Sequence, residues 1–111
     1  MVLSICLEIV FHDLSNVQPF VDRLSDAFRT IGFEVIRVGG GTLVAGKDDT
    51  VVYTRIKEVS LRESSIFRLS VDRLLRLMVR AESTNGRELV TVTKLLTDLA
   101  RTMEGVRIEI C

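Results

Sequence analysis

Ile66-Phe67-Arg68-Leu69-Ser70-Val71-Asp72-Arg73-Leu74-Leu75-Arg76-Leu77-Met78-Val79-Arg80-Ala81-Glu82-Ser83 is the stretch that decides the fold, because it satisfies two periods at once. Taken at period two, Phe67, Leu69, Val71, Leu75, Leu77, Val79 and Ala81 fall on one side, as in a half-buried strand. Taken at helical spacing, Val71, Leu74, Leu75 and Met78 share one side while Asp72, Arg73, Arg76 and Arg80 share the other. From Val71 onward the residues are mainly Leu, Met and Arg with few β-branched side chains, so propensity predicts a helix over 70–83. Ser70 would cap it, and Ser83-Thr84-Asn85-Gly86 would end it with a turn. On that reading Arg73, Arg76 and Arg80 form a solvated helix side.

Residues 87–104 pose the same question. Leu89, Val92, Leu96, Leu99, Ala100 and Met103 make a helical stripe, yet Val90-Thr91-Val92-Thr93 is a β-branched run that costs helix propensity. Working toward the N-terminus, Thr50 to Val59 is a β-branched strand, followed by a loop at Arg62–Ser65. Gly46-Lys47-Asp48-Asp49 is a turn, and Thr42 to Ala45 a short strand. Gly39-Gly40-Gly41 reads as a tight hairpin turn after the strand Phe33–Val38. It lacks the Lys-Ser/Thr of a P-loop and does not open onto a helix. Phe20, Val21, Leu24, Ala27, Phe28 and Ile31 define a helix near 18–31, with Asn16 as cap, Pro19 in the first turn and Gly32 as the stop. Val2 to Phe11 alternates as a strand; at a sheet edge it would pair with another chain. Val106 to Ile110 alternates and closes the chain.

With 111 residues, 47% hydrophobic and 27% charged, the chain is expected to be one globular domain, 1–111. Fifteen basic residues balance fifteen acidic ones, so net charge points to no class of partner. Twelve of the fifteen cations are arginine, which favours planar, bidentate contacts. No apolar run approaches the ~20 residues of a membrane span, and residues 1–11 show no leader pattern. Cys6 and Cys111 cannot make a disulfide framework. A reducing, cytoplasmic setting is expected, with Cys6 a small strand residue and Cys111 a terminal thiol. His12 is the only histidine; no nucleophile is placed beside it, and no zinc-ligand spacing occurs. No cofactor is expected.

By themselves these elements suggest a small α+β sandwich, ferredoxin-like. A second reading joins more residues: Gly32-Phe33-Glu34-Val35-Ile36-Arg37 after a helix, then the glycine loop, Thr42-Leu43-Val44-Ala45-Gly46, a polar turn, and Val51-Val52-Tyr53-Thr54-Arg55-Ile56-Lys57. In this order and spacing, residues 18–96 resemble the archaeal Holliday junction resolvases of the PD-(D/E)xK nuclease superfamily. That resemblance implies an α/β, restriction-endonuclease-like fold: a mixed central sheet flanked by helices near 18–31 and 70–83. Residues 87–95 separate the two: a strand there fits the resolvase order, a helix the sandwich.

Such nucleases hold Mg²⁺ with hard oxygen ligands. Here the aspartate position is Thr42, the acidic position before the lysine is Arg55, and the helix glutamate falls near Val21; Lys57 alone matches. A cation at position 55 repels a metal, so the expectation is no enzyme, no catalytic residue and no metal. What the resemblance leaves is an inactive resolvase-like protein that binds branched or duplex DNA, or serves as a non-catalytic subunit, with a homodimer implied. Arg37, Arg55, Lys57 and Arg62 are the candidate phosphate contacts, and the plainer reading of Arg55 and Lys57, which share a strand face with Tyr53, is a solvated face paired with neighbours such as Glu8 or Glu58. The alternative is a protein–protein assembly module without DNA binding, which the zero net charge favours. A relocated metal site would have to recruit Asp13, Asp22, Glu34 and Glu58, whereas Asp48-Asp49 read as turn formers.

Overall fold

The computed structural model describes the backbone of residues 1–63 and 71–111 and the side chains of residues 1–57 and 75–111. In chain order the elements are β1 (Leu3–Phe11), a 3-10 turn (Leu14–Asn16), α1 (Val17–Thr30), β2 (Glu34–Arg37), β3 (Leu43–Lys47), β4 (Thr50–Glu63), β5 (Val71–Ser83), α2 (Gly86–Arg101) and β6 (Val106–Ile110). The strands form one sheet in the order β2-β3-β4-β5-β1-β6, and every neighbouring pair is antiparallel. The fold is α+β: a six-stranded antiparallel sheet with two helices. Leaving out the β2–β3 hairpin, the remainder is strand-helix-strand-strand-helix-strand in the spatial order β4-β5-β1-β6, the ferredoxin-like arrangement. The mixed sheet expected from the resolvase resemblance is not what forms.

The stretch with two periods resolves against propensity. Residues 71–83, expected as a helix, are the central strand β5, hydrogen-bonded to β4 on one side and β1 on the other. Its period-two row Leu75, Leu77, Val79 and Ala81 lies directly opposite Phe11, Ile9, Leu7 and Ile5 of β1. A partner strand on each side outweighs an intrinsic preference of a few tenths of a kcal/mol per residue. Ser70, the expected cap, lies outside the described residues. So do residues 64–65 of the expected loop, while Arg62 is part of β4.

Residues 86–101 are a helix, the outcome that favours the sandwich. Asn85 caps α2 by accepting from the Arg87 N–H at 3.0 Å. Burial of the stripe Leu89, Val92, Leu96 and Ala100 outweighs the propensity cost of its β-branched run, and the threonine hydroxyls bond within the helix: Thr91 donates to the Arg87 carbonyl, Thr93 to that of Leu89 and Thr97 to that of Thr93, at 2.8–3.0 Å. At the start of α1, Asp13 caps the 3-10 turn through the Ser15 N–H, while Asn16 reaches across to the Glu104 carbonyl instead of capping. Gly32 ends α1 at φ 92°, a backbone region glycine enters without Cβ strain. The Gly39–Gly41 loop joins β2 to β3 as a hairpin, closed by Val38 N–H to Thr42 O at 3.0 Å.

Both helices lie on one face of the sheet. Phe20, Val21, Leu24 and Phe28 of α1 and Leu89, Val92, Leu96 and Ala100 of α2 are buried against Leu7, Ile9, Phe11, Leu43, Ala45, Val52, Leu77, Val79 and Ala81. Phe11 and Phe20 meet edge to face with centroids 5.3 Å apart. β1, considered above as an edge strand, is interior, paired by β5 and β6; its continuous alternation is what an interior strand needs to feed the core. The sheet edges are β2 and β6, and the face away from the helices, here the open face, carries the remaining features. Among the described residues no helix is long and apolar enough to cross a membrane.

Candidate interface on the open sheet face

Alternation along β4 places Tyr53, Arg55 and Lys57 on the open face, as their spacing predicts. The strand order brings Glu8 to this face. Lys57 Nζ donates to Glu8 Oε1 at 2.6 Å, and Arg76 Nη1 donates to Glu8 Oε2 at 2.9 Å. Arg76 also pairs with Glu109, and Arg107 Nη2 lies 3.1 Å from Glu109 Oε1. The result is a ladder of ion pairs whose signs alternate from contact to contact, Lys57–Glu8–Arg76–Glu109–Arg107, with members on β4, β1, β5 and β6. Glu8 is 9% exposed and shares its two oxygens between two cations. The Lys57 hydrogen bond, with help from Arg76, holds its carboxyl below the usual range against the opposing effect of burial. Arg76 likewise holds Glu109 low, and the two carboxylates raise the Arg76 guanidinium.

The four candidate phosphate contacts therefore do not form one basic surface. Lys57 is engaged by Glu8. Arg37 is on the helix side of β2, ion-paired with Asp22 of α1, because Ile36 takes the open-face position. Arg55 is exposed on the open face. The Arg62 side chain lies outside the described residues. The acids of a relocated metal site are dispersed as well: Asp13 caps the 3-10 turn, Asp22 holds Arg37, Glu34 stands on β2, and the Glu58 side chain lies outside the described residues. Among the described residues no group of three His, Cys, Asp or Glu side chains could hold a metal ion.

Two features of this face were missed in the sequence. The first is a row of apolar residues running across three strands: Ile36 opposes Val44, which opposes Tyr53. With Val51 beside them, Ile36 is 64% exposed, Val51 50% and Tyr53 37%. Gly46, without a side chain, leaves a groove between Glu34, Val44 and Val51. The odd positions of "Val51-Val52-Tyr53" are the signal, but only the strand order shows which row the helices leave uncovered.

The second is the cysteine pair. Expected as separate thiols in a reducing setting, Cys6 and Cys111 are disulfide-bonded, with Cα atoms 5.3 Å apart. The β1–β6 register explains it. Leu7 faces Ile110, so the next pair outward is Cys6 and Cys111, joined also by Cys111 N–H to the Cys6 carbonyl. Two cysteines 105 residues apart become cross-strand neighbours only once the first and last strands pair.

No family model matches the chain, and a search of curated proteins returns no match. Solved structures share its fold. An amidase of the hydantoinase/carbamoylase family from Burkholderia phymatum superposes with a TM-score of 0.58 at 16% identity, over 100% of this chain and 28% of that one. The NMR structure of PA4090 from Pseudomonas aeruginosa superposes with a TM-score of 0.52 at 13% identity, over 95% of this chain and 93% of that one. The chain thus spans little more than a quarter of the amidase. At these identities the likeness is one of fold alone.

Proposed function

We propose that this domain is a non-catalytic protein–protein assembly module that works through its open sheet face, without DNA binding. The observation that carries the reading is the exposed apolar row Ile36–Val44–Tyr53 with Val51, beside a ladder whose cations Lys57, Arg76 and Arg107 are each already ion-paired. Apolar side chains gathered in one exposed patch next to a groove mark a protein-binding surface, whereas singly scattered ones do not. A phosphate-binding face needs cations whose charge is not already matched. Here Lys57 and Arg37 are matched by Glu8 and Asp22, and the chain carries no basic excess.

The resolvase-like reading, an inactive homologue with Arg55 and its neighbours on DNA phosphate, stands second. It is favoured by the exposed Arg55 and Arg80 on the same face. A photo-reactive side chain substituted at Val51 tests the first reading in the cells the protein comes from. A defined protein adduct from position 51, and none from position 23 on the solvated side of α1, is the expected result. Equal labelling from both positions contradicts it.

A further inference from the structure

β6 is a sheet edge, and its sequence, Val106-Arg107-Ile108-Glu109-Ile110, places opposite charges at equal spacing on the two sides of Ile108. The hydrogen bonds flanking it, His12 N–H to Gly105 O and Cys111 N–H to Cys6 O, fix which backbone groups face inward. In an antiparallel ladder such pairs recur at every second residue, so residues 105, 107, 109 and 111 turn their N–H and C=O toward β1. Val106, Ile108 and Ile110 therefore turn theirs outward, and among the described residues no strand takes them.

We propose that β6 pairs with β6 of a second copy, antiparallel about a two-fold axis through Ile108. An isologous contact of this kind keeps the helices of both copies on one face and joins the two sheets. The register puts Ile108 opposite Ile108 of the second copy, and Val106 opposite its Ile110, all three through outward-facing backbone groups. Arg107 then lies opposite Glu109 of the second copy, and Glu109 opposite its Arg107. These are non-hydrogen-bonded pairs, where facing side chains come closest. The two-fold registers centred on Arg107 or on Glu109 set like charges face to face and are disfavoured, so charge selects this one. The ladder that runs from Lys57 to Arg107 continues across the axis with its signs still alternating.

The helix side of the edge fits the same partner. Ile110 is 87% exposed although it points to the face the helices cover, and a shallow groove lined by Thr97, Ala100, Arg101, Val106 and Ile108 runs between α2 and β6. Because Ile110 of the second copy stands opposite Val106, its side chain falls at that groove. The inference goes beyond the open-face reading and uses other residues, so the two fail separately.

The test is light scattering coupled to size-exclusion chromatography on the intact, disulfide-bonded chain across a concentration series. The expected mass is twice 12.5 kDa. Arg107→Glu sets two pairs of like charges across the axis and weakens the dimer about tenfold or more. Ile110→Pro removes an outward donor at an exposed position and does the same. Ile36→Asp, on the opposite edge, leaves the dimer intact. In the unsubstituted protein, amide exchange at Val106, Ile108 and Ile110 slows as concentration rises through the transition, a readout that needs no variant. A monomer at all concentrations overturns the proposal. So does a dimer insensitive to both β6 variants, a dimer lost in Ile36→Asp, or exchange at those three amides that is independent of concentration.

Discussion

Glu8 shows how one side chain changes the meaning of its neighbours. On sequence alone it is a polar position in an alternating strand; in the sheet it is a buried carboxylate shared by Lys57 and Arg76. Removing its charge leaves two cations facing each other over one site. Glu8→Gln is expected to cost about 1.5–3 kcal/mol of stability by chemical denaturation, the range for hydrogen bonds to charged groups. The pH dependence follows from the same pairings. Glu8 and Glu109 are held below their ordinary value of 4.5, so their contribution is present above that pH and is lost as the pH falls through their lowered values. Thermal melts should show stability dropping below about pH 4.5, with a shallower acid limb in Glu8→Gln. An acid limb unchanged by the substitution would contradict this account of the ladder.

At the scale of elements, the legible parts were those with a single strong period or unmistakable punctuation. The alternation of β1 and the stripe of α1 with Gly32 behind it could be read directly, as could the glycine hairpin and the Asp48-Asp49 turn. What could not be read was a sequence whose local preference opposes its surroundings. Residues 71–83 carry leucine and arginine at helix-compatible spacing, and only the strands on both sides make them β5. Residues 90–93 carry strand propensity, and the Asn85 cap with the buried stripe Leu89, Val92, Leu96 and Ala100 makes them helix. The surroundings of the candidate site depend on the same long-range pairing: spacing places Arg55 and Lys57 on one face, and the strand order brings Glu8 of β1, nearly fifty residues away, to Lys57. The cysteine pair is likewise a consequence of β1 meeting β6. Its closure of a loop of more than a hundred residues predicts that Cys6→Ser/Cys111→Ser loses about 3–5 kcal/mol. The native protein should show no maleimide-reactive thiol until a reductant is added. Two reactive thiols without reductant would contradict the pairing.

For the whole molecule, one face of the sheet is committed to the helices and the other to charge and apolar patches. Among the described residues Lys57, Arg76 and Arg107 of the open face are ion-paired with Glu8 and Glu109, and the exposed apolar row stands beside them. We propose that this open face serves protein assembly and not phosphate. The most direct measurement is fluorescence anisotropy with a labelled four-way junction and a matched duplex, at low salt with Mg²⁺, followed by a denaturing gel of the same samples. Neither DNA is expected to bind saturably or to be cleaved. Saturable junction binding that falls steeply with salt, and is abolished by Arg55→Glu with Lys57→Glu, would contradict it.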